Sequence, residues 1–197
     1  MGEARSNTSE MIEKITDTEL SGLAWYAVQT SYRNEQRVAQ ALTVKGFHTY
    51  LPLLREVHQW TDRKKTIDVP AFSGYLFVNY ESTLRNRVKV LETSGVVRML
   101  GGNHAPSPIS GEEIEAVRRT LSSGVACERC EALSPGDKVR VIRGPLAGVS
   151  GQLVRIKNSL RLIVAISVFS QAISAELGLN DVEAIDDRSV AQYADQE

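Results

Sequence analysis

The chain reads as an α+β layer followed by a small all-β barrel. Three observations carry this. Strand and helix patterns alternate up to residue 121, and short alternating strands separated by turn signals fill residues 133–186. Ten of the 12 aromatic residues lie between Trp25 and Tyr80, so the two halves are built from different material. The order strand, helix, strand, hairpin, strand, helix, strand, helix predicts helices on one face of a mainly antiparallel sheet.

The β-rich residues 25–31 predict the first strand. From Asn34 onward, Val38, Ala41, Leu42 and Lys45 fall at i, i+3, i+4 and i+7, the period of a helix, and Gly46 stands where a C′ glycine is expected. Residues 47–53 read as a second strand ended by Pro52. Residues 55–68 are polar and basic with isolated apolar positions, which suits an exposed hairpin turning near Thr61 and Asp62. Residues 72–80 are strongly β-prone. Leu84, Val88 and Leu91 recur at helical spacing, and Val96 to Leu100 reads as a further strand. Ser110 followed by Glu113 is a capping box that opens a helix running to about Leu121.

Residues 122–132 have no period and read as a linker. Beyond them, residues 138–142, 151–156, 160–166 and 182–185 alternate as short strands, punctuated by Gly136, Gly144, Pro145, Gly148 and the run 157–159. Four or five such strands favour a small closed barrel, because closure removes exposed edges. The glycines between the strands supply positive φ or close backbone approach, and Gly74 lets the chain bend before a central strand. The expected organisation is a flexible acidic leader at 1–22, an α+β domain at 23–121, a linker at 122–132, the barrel at 133–186 and a flexible tail at 187–197.

Lys+Arg 23 against Asp+Glu 24 leaves a net charge of −1, so any nucleic-acid contact must come from a local patch. The longest nearly apolar run, residues 160–173, is broken by Arg161, Ser167, Ser170 and Gln171 and cannot span a bilayer. The acidic first residues match neither a secretory signal nor a transit peptide, and a cytoplasmic protein is expected. Cys127 and Cys130 lack a second pair or a nearby His at zinc spacing, so no metal, cofactor or disulfide framework is expected; the pair reads as reduced thiols in a linker, the alternative being a redox pair, which lacks the strand-turn-helix context that lowers a thiol pKa. His48, His58 and His104 have no spaced acid or nucleophile partner. No phosphate-binding glycine loop and no nucleophile elbow is present, so no catalytic residue is expected.

Trp25 and Tyr26 opening the first strand, the run 74–78, Gly95 with Val96, Pro108 to Ser110 before a helix, the run 136–141, Gly144, Pro145, Gly148 and Gly151 occur in the order and spacing of one family. The chain resembles the NusG-type transcription elongation factors, residues 25–121 the N-terminal (NGN) domain and residues 133–186 the SH3-like KOW barrel. The resemblance implies docking on RNA polymerase at the clamp helices of its largest subunit, through Phe72, Tyr75 and Phe77 with Leu51, Pro52 and Leu53 nearby. Tyr75 and Phe77 share one strand face, which suits an apolar docking surface or the domain's own core.

The basic segment around Trp60, Arg63, Lys64 and Lys65 suits a single nucleic-acid strand, phosphate to cation and base to indole, or a solvated hairpin tip. Arg33 and Arg37 lie one helical turn apart, and the resemblance points Arg37 toward the non-template DNA strand. Asn86 and Arg87 correspond to positions that face the polymerase gate loop in RfaH-type members. The barrel positions Leu146, Val149 and Phe169 correspond to residues that engage ribosomal protein S10 or termination factor Rho. The two aliphatic residues preserve shape for the former and lose stacking area for the latter.

The segment 59–65 leading to Pro70 and Phe72, and the gapless match from Trp25 to Val78, resemble specialised RfaH- and UpxY-type antiterminators acting on long operons. The strong β preference of Val139, Val141, Ile163, Val164, Ile166 and Val168 predicts a C-terminal domain that stays β. A monomer is expected. The alternatives are a housekeeping factor coupling polymerase to Rho or the ribosome, and a KOW-type RNA-binding protein using Lys138, Arg140, Arg143, Arg155, Lys157 and Arg161 on phosphates.

Overall fold

The computed structural model describes residues 22–59, 64–101, 105–131, 137–156 and 159–185. The acidic leader, the hairpin turn with Trp60 and Arg63, and the C-terminal tail lie outside the described residues. The first unit is a five-stranded antiparallel sheet. Its path is β2 (His48–Tyr50), β5 (Tyr75–Glu81), β1 (Leu23–Thr30) and β6 (Val96–Met99), with β7 (Pro108–Ile109) also pairing β1. Strands β3 (Leu53–Gln59) and β4 (Lys64–Pro70) form a separate two-stranded ribbon, the predicted hairpin.

The three helices are α1 (Glu35–Val44), α2 (Leu84–Leu91) and α3 (Gly111–Ser122). They do not share one face of the sheet. Because side chains alternate along a strand, β1 and β5 divide their residues between two cores. Tyr26, Val28, Leu76, Val78 and Tyr80 face Val38 and Leu42 of α1 and Val90 of α2. Ala27 and Phe77 face the other way, in one core with Ile114 and Val117 of α3. On α2 the stripe of Leu84, Val88 and Leu91 that marks the helix in the sequence faces solvent, with Leu84 77% exposed, while Val90 is fully buried.

The cap at α3 is realised in half: Ser110 Oγ accepts from the Glu113 N–H at 3.1 Å. The Glu113 carboxylate turns away to accept from the N–H and hydroxyl of Ser167, both at 3.1 Å. In the turn between α2 and β6, Gly95 adopts φ +96, and a Cβ there would stand 2.8 Å from Val38 Cγ2 of α1, so this turn admits only glycine without strain.

The second unit is a six-stranded antiparallel sheet. Its path runs from β13 (Val182–Ala184) through β9 (Asp137–Val141), β10 (Ser150–Ile156), β11 (Ser159–Ala165) and β12 (Gln171–Leu177) to β8 (Cys127–Glu131). The unit is all-β, as its valines and isoleucines predict. Two of its strands were not expected. β12 lies where no strand pattern stood out, and β8 lies within the predicted linker. At Gly151 the backbone passes so close to β11 that a Cβ would meet Ile163 O at 2.6 Å.

The two units pack on each other. Phe72, Phe77, Ile114 and Val117 of the first share one continuous core with Val139, Leu146, Leu162 and Ile173 of the second. No described helix is long and apolar enough to cross a membrane.

Candidate functional site

The face of the first sheet that α1 and α2 leave open is aromatic. Register places Tyr50 of β2 opposite Phe77 of β5, and their rings stack with centroids 6.2 Å apart at 26°. Phe72, in the bend before β5, meets Phe77 edge-on at 5.8 Å. The bend is held by Glu35, a buried carboxylate on α1 that accepts from the Gly74 N–H at 2.8 Å, while Gly74 O accepts from the Thr30 N–H at 2.8 Å. Gly74 has φ +81, which its missing Cβ permits.

Phe169, from the turn between β11 and β12, lies across this face. Its ring stacks on Tyr75 with centroids 4.7 Å apart and planes 6° from parallel. It meets Phe72 edge-on at 5.3 Å and stacks on Phe77 at 6.2 Å. Such pairs are worth about 0.5–1.5 kcal/mol each beyond the area they bury. Phe72 and Phe77 are fully buried here and Tyr75 partly so, because the second unit covers the surface on which exposure was expected.

Polar contacts rim the covered face. Gln171 Nε2 donates to Ser73 O at 3.3 Å, and Glu113 reaches Ser167 as described. Arg129 of β8 donates to Ser73 Oγ at 2.8 Å and pairs with Glu56 of β3. A cleft of about 910 Å³ runs between α3 and the second unit. Glu112 and Glu115 lie on one wall, Lys138 and Arg140 on the other.

Tyr50 anchors the far side of the face, with the Arg118 guanidinium 4.9 Å from its ring centre. Burial pushes its phenol up to about 12, Arg118 pulling down and Glu115 pushing up more weakly. Tyr80, on the opposite face of the sheet, is likewise pushed up to about 12, chiefly by burial. A raised phenol pKa means that the fold favours the neutral form. The stability this confers is complete below about pH 10 and is lost as pH rises toward 12. Alkaline denaturation monitored by tyrosinate absorbance is therefore expected to begin above pH 10, and Tyr50→Phe to shift its onset upward.

The other expected site residues are placed as follows. Leu51 packs into the α1/α2 core instead of the aromatic face, Pro52 is buried, and Leu53 is 38% exposed. Asn86 is engaged locally, its amide Nδ2 donating to Glu81 O at 3.1 Å, and Arg87 is half-buried. Arg33 and Arg37 are exposed; Arg33 sits at φ 60 with its guanidinium 4.9 Å from the ring centre of Tyr32, itself 80% exposed. Lys65 is exposed on β4. Leu146 and Val149 are each 1% exposed and turn into the shared core, so of the three positions expected to engage partners Phe169 alone keeps partial exposure, against the aromatic face. Tyr50 and Arg129 escaped the sequence reading. Pairing residues 47–53 against 72–80 would have placed Tyr50 beside Phe77, whereas nothing in the linker's composition marks Arg129.

An aromatic sheet face on one unit, covered by a ring from a β unit joined to it in the same chain, defines a two-unit protein with a shared core. The family profile described as "Transcription termination factor nusG" matches residues 23–118. Transcription termination/antitermination protein NusG of Yersinia pestis is 30% identical over 171 residues, covering 81% of this chain and 94% of that protein. Its counterpart from Vibrio vulnificus (strain CMCP6) is 28% identical over 174 residues, covering 82% and 96%. A solved structure described as "Domain interaction in Thermotoga maritima NusG" superposes with a TM-score of 0.51 at 20% identity, covering 83% of this chain and 98% of that one. The chain belongs to the NusG family of transcription termination/antitermination factors.

Proposed function

We propose that this chain is a specialised NusG paralogue that binds RNA polymerase, at the clamp helices of the largest subunit, through the aromatic face of its first unit. Binding there raises processivity and suppresses termination or pausing on particular long operons. The observation that carries the reading is the Phe169 stack. The apolar face on the side of the sheet away from α1 and α2 is covered by α3 and, over Phe72, Tyr75 and Phe77, by Phe169 of the second unit, and a partner using those three rings must displace the second unit. The second unit, on this reading an SH3-like KOW barrel, then presents Phe169 to ribosomal protein S10 or Rho. Arg33, Arg37 and the hairpin residues Lys64 and Lys65 lie on the first unit as a source of contacts to the non-template strand.

The test is single-round transcription on a long template with Rho, comparing the unaltered chain with Tyr75→Ala. Increased read-through that Tyr75→Ala reduces at least fivefold supports the reading. Enhanced termination would assign a housekeeping role through Rho. RNA binding retained without polymerase binding would assign the RNA-binding reading, carried by the exposed Lys138, Arg140 and Arg143.

A further inference from the structure

β8 is the strand that ties the two units together, and both cysteines lie on it. It pairs with β12 along the end of the second sheet, Cys127 opposite Ala175 and Cys130 opposite Ala172. Arg129 between them reaches the first unit at Ser73 and Glu56. Glu128 pairs with Arg161 at 2.6 Å. The strand thus holds the second sheet on one side and the aromatic unit on the other.

The cysteines are three residues apart, so an extended strand points them to opposite faces. Cys127 packs against the shared core, its Sγ 3.3 Å from Val125 O and 3.7 Å from Thr120 O at the end of α3. Cys130 lies on the other face, with Ser174 as a hydrogen-bond partner and Arg161 and Glu128 nearby. At about 3.3 Å per residue their Cα atoms stand roughly 10 Å apart. A disulfide requires Cα atoms within about 7 Å and side chains that point toward each other. The paired strand therefore forbids the bond, while the same four residues released from β12 can turn and close it.

We propose that Cys127 and Cys130 form a thiol–disulfide modification site whose oxidation is incompatible with β8, so that the dithiol accompanies the closed arrangement and the disulfide accompanies a released linker. The oxidant class is a small-molecule disulfide such as oxidised glutathione. One cysteine thiolate attacks it, expelling one small thiolate and leaving a mixed disulfide. The second thiolate then displaces the other small thiol. Two protein thiols are oxidised to one disulfide, one small disulfide is reduced to two thiols, and the two cysteine protons pass to the departing thiolates.

A cleft of about 590 Å³ between β3 and β8, lined by Leu54, Glu56, Cys127 and Arg129, gives a small reagent access to the first sulfur. Burial pushes both thiols up while β8 is in place, which slows attack in the closed arrangement. Linkage makes the effect reciprocal: whatever loosens β8 favours the disulfide, and the disulfide disfavours β8. Loss of β8 also removes the Arg129 contacts that help hold the aromatic face covered.

The experiment equilibrates the full chain in buffers of graded glutathione disulfide to glutathione ratio. Alkylation and mass spectrometry score the Cys127–Cys130 bond, and amide hydrogen exchange follows β12. A peptide of residues 122–132 serves as the unrestrained reference. The expected result is an intramolecular disulfide that forms at more oxidising ratios than in the peptide. It should be accompanied by at least tenfold loss of exchange protection along β12, reversed by reductant and absent in Cys127→Ser/Cys130→Ser. Arg129→Ala, which removes the contacts of β8 to Ser73 and Glu56, should shift the thiol–disulfide balance at least threefold toward the bond. A disulfide formed with β12 protection unchanged overturns the proposal. So does a bond that forms in the chain at the same or less oxidising ratios than in the peptide, since β8 would then not oppose it. None of these readouts involves polymerase, so failure of the docking reading and failure of this one are distinguished.

Discussion

Phe169→Ala is expected to raise the apparent affinity for RNA polymerase by up to about thirtyfold. The ring meets Phe72, Tyr75 and Phe77 at once, and among the described residues no other aromatic side chain of the second unit reaches that face. Removing a fully buried phenylalanine costs about 3–5 kcal/mol, and a partly exposed one correspondingly less. Taking about 2 kcal/mol as lost from the closed arrangement changes the closed-to-open ratio roughly thirtyfold, at 1.4 kcal/mol per decade. A partner that binds only the open form sees its affinity reduced by the open fraction, so the substitution returns up to that factor and no more. The substitution leaves the first unit intact. Small-angle scattering should show a larger radius of gyration for the free variant, and surface-bound polymerase a tighter complex formed mainly through faster association. Unchanged affinity with an opened shape would show that the aromatic face is not where polymerase binds.

The route from sequence to this arrangement worked unevenly, and the reasons are local. β5 and β1 were legible because Val, Tyr, Phe and Trp crowd a short span, and α1 because Val38 and Leu42 stand in period. α2 is legible as a helix, but its period does not show which face is buried. Its buried residue, Val90, has no apolar partner at i−3 or i−4, where Arg87 and Asn86 stand, while Leu84, Val88 and Leu91 make a regular stripe that faces water. β12 is built of Gln, Ala, Ile, Ser, Ala, Glu and Leu, a composition of weak strand preference, and it is a strand because β11 and β8 pair both its edges. β8, with two glutamates, an arginine and two cysteines in five residues, carries no periodic signal at all. Its structure comes from tertiary pairing.

The site follows the same division. Tyr75 and Phe77 on one face were readable, and both a docking surface and a core were open to them. The structure makes them part of a core shared with the second unit, a fact of domain placement that no short window of sequence holds. Glu35 is a related case. A carboxylate in the first turn of a helix looks like ordinary N-terminal charge, yet this one is 7% exposed and accepts from the Gly74 backbone 39 residues away, fixing the bend that presents Phe72.

The burial pattern also decides which substitutions can test the site. Phe72→Ala and Phe77→Ala are expected to behave as stability variants, each costing about 3–5 kcal/mol, because both rings are fully enclosed and Phe77 touches Tyr50, Phe72 and Phe169. For a chain whose total stability is about 5–15 kcal/mol, either one consumes a large share of it, and loss of function in them would not separate misfolding from lost docking. Tyr75 differs. It is partly exposed, no hydrogen bond ties its side chain among the described contacts, and its principal ring contact is Phe169 of the covering unit. Tyr75→Ala therefore weakens the cover and the docking face together while leaving the α1/α2 core whole. Thermal unfolding should place Phe72→Ala and Phe77→Ala well below Tyr75→Ala, with the Tyr75 variant within a few degrees of the unaltered chain. In transcription the order should reverse in meaning: at a temperature where all remain folded, Tyr75→Ala loses read-through activity by docking alone. A Tyr75→Ala chain that unfolds as early as Phe77→Ala would show instead that the stack with Phe169 carries the fold of the first unit.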